Sequence, residues 1–239
     1  MLKRILLLLL LITVTFPSPS QAGSAIDLLI DRVLDAYGGK MLDTVQAYRM
    51  EGTVTAKIRQ TKGEMVRFFA RPDRLYVDLA YKANPERRFL DKGRGWRTDP
   101  KGGGIKEVDG PLLKSMVLQA ARANIPWVLS EHRAKVTQSP PVKVGESMTI
   151  GMQIILEPGI IIRLYADPKT ARIVYSQAVL NTETIKTHFE TAYSDFREVD
   201  GILFPHHEEN WASGFNTGTT EIHKITINPE IKPGTFRPE

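Results

Sequence analysis

Between Gly63 and Pro100 the chain turns back on itself before any one strand can run long, and no other stretch limits the fold as tightly. Met65 to Ala70 is apolar and rich in β-forming residues. Arg71-Pro72-Asp73-Arg74 interrupts it, because proline fixes its own φ and biases Arg71 away from helix. Leu75, Val77 and Leu79 then alternate with Tyr76, Asp78 and Ala80, a period of two. The two runs read as an antiparallel hairpin. A third strand is expected near Arg88 to Leu90, after which Asp91-Lys92-Gly93-Arg94-Gly95 turns the chain toward Trp96. A chain with this segment at its centre is built on a twisted sheet, and the segment is not a catalytic loop.

The N-terminus has a different character. Lys3 and Arg4 precede an apolar run from Ile5 to Ile12, extended by Val14 and Phe16 and broken by Pro17 and Pro19. Ser20-Gln21-Ala22 then offers small residues where a signal peptidase cuts. The run is short for the ~20 apolar residues of a membrane span. Residues 1–22 are therefore expected to be a cleaved signal peptide, and residues 23–239 a single domain in the periplasm. The chain has no cysteine, which excludes a lipidated N-terminal cysteine and any disulfide.

Losing Lys3 and Arg4 with the leader lowers the formal charge from +5 to +3 over 217 residues. That excess is mild. The densest basic stretch, Arg87, Arg88, Lys92, Arg94, Arg97 and Lys101, reads as a solvated sheet edge guarded by charge, not as a nucleic-acid site. Transient contact with an anionic membrane surface stays open.

Ile26, Leu29, Ile30, Val33, Leu34 and Tyr37 recur at helical spacing after a candidate cap at Ser24, and Gly38-Gly39 stops the helix. A short helical turn around Leu42 precedes a strand over Tyr48 to Arg59. Gly110-Pro111 opens a second helix that ends at Asn124-Ile125-Pro126, and Trp127 to Leu129 continue as a short helical piece. From Ala134 onward the chain is strand and turn, with Asp200-Gly201 the strongest hairpin signal. About ten or eleven strands with an inserted helical segment are the α+β pattern. One large antiparallel sheet must curl. The expected fold is a half-open β-barrel with helices covering one mouth.

Four features resemble the LolA/LolB lipoprotein-localisation superfamily. They are an amphipathic helix directly after a leader, a strand–Arg71-Pro72–strand hairpin, Asp91, Trp96 and Pro100 in DKGRGWRTDP, and a mid-chain helix followed by strands with an Asp-Pro-Lys-Thr turn. The order of the middle element departs from the family's Asp-Gly-Lys, and Arg97 and Thr98 stand where the family often has aromatics. The resemblance implies a periplasmic carrier that hides the acyl chains of a lipoprotein or a free lipid in an apolar cavity. It also implies an inner-membrane releasing complex and an outer-membrane acceptor as partners, for a chain acting as a monomer. By the same resemblance Arg71 is the lid latch, bonding helix carbonyls. Phe69, Leu75, Val77, Leu79 and Trp96 are the expected lipid-binding wall.

Two other readings compete. His206, His207, Glu208 and His223 gather near the last hairpin, and alternating ligands on strands could hold zinc for a hydrolase. No HExxH spacing exists, however, and adjacent His206 and His207 point to opposite faces. The other is a periplasmic lipid- or protein-sensing regulator of an envelope-stress pathway, but such sensors usually need a further domain. No catalytic residue, metal or cofactor is expected.

Overall fold

The computed structural model describes residues 19–157, 159–181 and 186–238. The expected leader lies outside the described residues up to residue 18. Helix α1 (Pro19–Ala36) begins upstream of Ser24, so Ser24 is not its cap. A 3-10 turn (Gly39–Thr44) leads into β1 (Ala47–Ala56), β2 (Thr61–Ala70), β3 (Arg74–Tyr81), β4 (Glu86–Asp91), β5 (Arg94–Thr98) and β6 (Ile105–Val108). Helices α2 (Gly110–Ala123) and α3 (Trp127–Glu131) follow. The chain then returns to strand in β7 (Val136–Ser139), β8 (Lys143–Val144), β9 (Ser147–Met148), β10 (Ile150–Glu157), β11 (Ile160–Ala166), β12 (Ile173–Asn181), β13 (Lys186–Val199), β14 (Ile202–Ala212) and β15 (Phe215–Ile227). β6, β8 and β9 escape sequence reading because they are short and mostly exposed, with no apolar alternation to mark them.

Thirteen of these strands form one antiparallel sheet in the order β6-β5-β4-β3-β2-β1-β15-β14-β13-β12-β11-β10-β7. Every neighbour is the next strand of the chain except at β1–β15, where the first strand pairs with the last, and at β10–β7, where the separate short pair β8–β9 intervenes. The edges β6 and β7 are joined by the helical segment and not by hydrogen bonds, so the sheet is open and the barrel does not close.

The curl follows from what α2 touches. It packs on β4 and β5 and also on β11 and β12. In a flat sheet β4 and β11, eight places apart in the order, would stand ~38 Å from each other at ~4.8 Å per strand. A helix is only ~10–12 Å across. The sheet must therefore bend round the helix, and the main core lies on its concave side, where α1, α2 and α3 meet Phe69, Leu75, Ile162, Leu164 and Phe204.

Local signals position this frame. Asp200 and Gly201 both have positive φ, 48° and 79°, as a two-residue hairpin turn with the right twist requires. Gly38, at the end of α1, has φ 130°, and a Cβ there would sit 2.5 Å from the Gly201 carbonyl oxygen. The helix stop thus docks directly on the β13–β14 turn. Tyr37 completes the joint, its hydroxyl accepting the Ile173 amide at 3.1 Å.

Candidate functional site

Below α2 the concave face leaves a cavity of about 390 Å³. Its apolar wall comes from Met65, Val77 and Leu79 on one wing, Phe189 on the other and Met116 on the helix. Much of the rest is polar, and seven lining residues are charged. Period-two alternation puts Arg67 on the same face as Met65 and Phe69, and Glu86 and Arg88 on the same face as Leu90.

Arg67 and Glu208 meet across the cavity as a bidentate pair, with Nη1 to Oε1 at 2.7 Å and Nη2 to Oε2 at 2.8 Å. Their side chains are only 15% and 8% exposed. Burial opposes ionisation of Glu208, but the charge and hydrogen bonds of Arg67, helped by Arg122, outweigh it and hold the carboxyl below the usual glutamate range. Glu86 is a second centre. Its Oε1 accepts from Arg88 Nε at 2.8 Å and Arg97 Nη2 at 3.0 Å, and Arg59 stands 3.6 Å from Oε2. Burial again resists the charge, and the three guanidiniums overcome it, leaving Glu86 lowered.

Among the described residues Arg122 has no carboxylate in hydrogen-bond contact. Its Nη1 donates to Thr191 Oγ1 at 2.9 Å, and Thr191 in turn donates to Asn210. Its buried Nε finds no partner among the described residues, and neither does Arg97 Nε. Burial accordingly pulls the Arg122 pKa down, although a guanidinium remains charged. Among the described residues, five arginines and two glutamates line the cavity, an excess of three positive charges.

The expected wall is partly relocated. Val77 and Leu79 do line the cavity. Phe69 and Leu75 face the same side but lie in the packed core beyond its closed end, at 0% and 1% exposure. Trp96 is on the opposite, outer face, because it pairs with Phe89 while Arg88 and Arg97 take the inner side. There its ring lies under the Arg94 guanidinium at 5.1 Å, in a groove shared with Phe68, Tyr76 and the C-terminal tail. The basic stretch is likewise not one solvated edge: Arg88 and Arg97 point into the cavity.

Arg71 is not among the cavity-lining residues. It stands at the far end of β2 from the cavity, where the Arg71–Pro72 peptide bond is cis. Its Nε and Nη2 donate to Glu131 Oε1 at 3.0 and 2.8 Å, its Nη1 to the Val45 carbonyl at 3.2 Å, and its guanidinium lies 5.7 Å from the Trp127 ring centre. The expected set of helix carbonyls is thus replaced by a carboxylate on α3 and the carbonyl that follows the 3-10 turn. Asn124 holds the other oxygen of Glu131. Trp127 Nε1 donates to Leu42 O at 2.9 Å, and its ring stacks near Tyr48 at 6.2 Å. Arg71 therefore pins the α2–α3 corner to the hairpin tip.

The histidines do not assemble. Both oxygens of Glu208 are taken by Arg67. His206 Nδ1 is bonded to the Ile222 carbonyl at 2.8 Å, His207 pairs with Glu221 at 2.6 Å, and His223 meets Thr53 Oγ1 at 2.9 Å. No group of three possible metal ligands forms among the described residues, so the cluster expected for a zinc hydrolase is not there. Sequence reading passed over Arg67, Glu86, Arg122 and the role of Glu208. The available signal was a charged residue at an inward position of an apolar alternation, as in Met65–Arg67–Phe69.

No protein-family model matches the chain, and no curated protein matches it. Solved structures do. A DUF1329 family protein from Desulfovibrio piger superposes with a TM-score of 0.57 at 10% identity, over 92% of this chain and 98% of that one. A LolA superfamily protein from Nitrosomonas europaea gives 0.56 at 8% identity, over 89% and 97%. A putative outer membrane lipoprotein-sorting protein domain from Vibrio parahaemolyticus gives 0.51 at 8%, over 90% and 97%. At such identities the likeness is one of fold: an open, curled antiparallel sheet of LolA type.

Proposed function

We propose that this LolA-like fold is an exported carrier, which takes an acyl chain of a lipoprotein or lipid into the cavity below α2 and delivers it toward the outer membrane. The observation that carries the reading is the cavity itself, lying between a curled sheet and a single helix, with Met65, Val77 and Leu79 on one wing, Phe189 on the other and Met116 on the helix. Each CH₂ buried there is worth ~0.8 kcal/mol, so one chain supplies ample affinity. The name of the Vibrio neighbour, a lipoprotein-sorting domain, agrees with this use of the fold.

The rim suits transient contact with a membrane. The β1–β2 and β14–β15 turns lie side by side, tied by the Lys57 amide and the Thr217 carbonyl at 3.0 Å. They carry Ile58 and Phe215, 71% and 73% exposed, next to cavity-lining Arg59 and Thr217. Apolar side chains beside cations fit an anionic bilayer surface. An inner-membrane releasing complex and an outer-membrane acceptor complete the route for a monomeric carrier.

The test is extraction of the protein from its own envelope, followed by mass spectrometry of what comes with it. A stoichiometric acyl lipid is expected, on a chain whose N-terminus is Gly23. Protein that carries none, and that takes up no fluorescent fatty acid, would refute the carrier. Met1 retained in a membrane fraction would refute the export step.

A further inference from the structure

An acyl-chain cavity has no need of five arginines. Burying a cation without a counter-charge is costly, and natural interiors pair such groups. Arg67 is matched by Glu208. Glu86 is shared by Arg59, Arg88 and Arg97, which leaves that corner with an excess of two positive charges. Arg122 adds a third, with Thr191 its one hydrogen-bond partner among the described residues. Two guanidinium nitrogens, Arg97 Nε and Arg122 Nε, are buried and have no partner among the described residues. Beside this charge stand Val77 and Leu79, cross-strand neighbours of Arg88 and Glu86, with Met116 on the wall of the same cavity.

We infer that the cavity takes a single-chain lipid with an anionic head, a carboxylate or a phosphate, held head inward by Arg122 with Arg88 and Arg97 beside it. The inference rests on the carrier reading and narrows it. The head would supply the counter-charge that this corner lacks, and charge-assisted bonds to guanidinium are among the stronger hydrogen bonds. The chain would lie along the apolar wall. A volume of about 390 Å³ is near the low end of the ~300–1,000 Å³ range of ligand pockets, which favours one chain over several.

Among the described residues Arg122 makes no salt bridge, so Arg122→Leu should leave the melting temperature of the lipid-free protein unchanged or raise it. Binding should suffer instead. Delipidated protein is titrated with oleate, lysophosphatidic acid, oleyl alcohol and inorganic phosphate, each below its aggregation concentration. Oleate and lysophosphatidic acid are expected to bind at least ten-fold more tightly than oleyl alcohol. Arg122→Leu should weaken the two anionic ligands by about ten- to a hundred-fold and leave the alcohol unmoved, the scale of one charge-assisted bond. Arg122→Lys should keep part of the discrimination.

Equal binding of oleate and oleyl alcohol by the natural protein would overturn the inference and leave the carrier reading standing. Discrimination that survives Arg122→Leu would overturn it as well. Inorganic phosphate bound as tightly as the lipids would mean a plain anion site. Binding of none of the lipids would remove the carrier reading and this inference together.

Discussion

The Arg67–Glu208 pair offers the sharpest test of how the interior is held. The perturbation is a cycle of Arg67→Met, Glu208→Leu and the double variant. Both bonds are short, 2.7 and 2.8 Å, and neither side chain is more than 15% exposed, so solvent screens the pair little. Removing one member of such a pair strands the other and costs ~3–5 kcal/mol, whereas replacing both by apolar groups is often close to neutral. Glu208→Leu should be the worse single change, because it leaves Arg67 and the nearby Arg122 as mutually repelling cations. For a chain of this size ~1 kcal/mol moves the melting temperature by ~2–4 °C, so each single variant should melt roughly 6–20 °C lower. The double variant should recover most of that loss. Urea unfolding monitored by tryptophan fluorescence supplies the free energies. There is also a pH signature. Glu208 is lowered in the folded state, so its contribution is complete above the ordinary glutamate range and is lost as pH falls through the lower folded value. The double variant should lack that part of the acid slope. Single variants that cost under ~1 kcal/mol, or costs that simply add in the double, would refute a coupled buried pair.

Three further outcomes are expected. Arg71→Leu should keep lipid capacity but speed hydrogen exchange across Asn124–His132 and slow transfer of a fluorescent lipid to vesicles, with Arg71→Lys milder; unchanged exchange and transfer would return Arg71 to an ordinary turn residue. Gly38→Ala should destabilise by more than the ~1 kcal/mol of backbone strain alone, since its Cβ would meet Gly201 O at 2.5 Å, whereas Gly93→Ala, with open space around it, should show only the strain; equal melting temperatures for the two would contradict the tight α1 joint. His206→Ala and His223→Ala should leave lipid transfer intact and the protein free of stoichiometric zinc, and elemental analysis finding one metal per chain that these variants lose would restore the hydrolase reading.

What the sequence determined by itself was local. Gly38-Gly39 ends α1, Gly110-Pro111 and Asn124 bound α2, and Asp200-Gly201 makes the β13–β14 hairpin, because each depends on backbone preferences within a few residues. Alternation also showed that Phe69, Leu75, Val77 and Leu79 share a face. It could not show which face is concave, or how far along a strand the cavity reaches. Both faces of this wing carry large apolar residues, Phe68 beside Phe69 and Tyr76 beside Leu75, since the C-terminal tail returns to cover the outside with Phe236. Trp96 therefore looked like a wall residue and belongs to the outer groove. The charged partners were out of reach for the same reason. Arg67 and Glu208 lie 141 residues apart, and Arg71 and Glu131 lie 60 apart. They meet only because β1 pairs with β15 and because a helix bridges the two edges of the sheet. Electrostatic pairing depends on distance in space, which periodicity along the chain does not encode. The charge of the cavity was decided by the curl of the sheet.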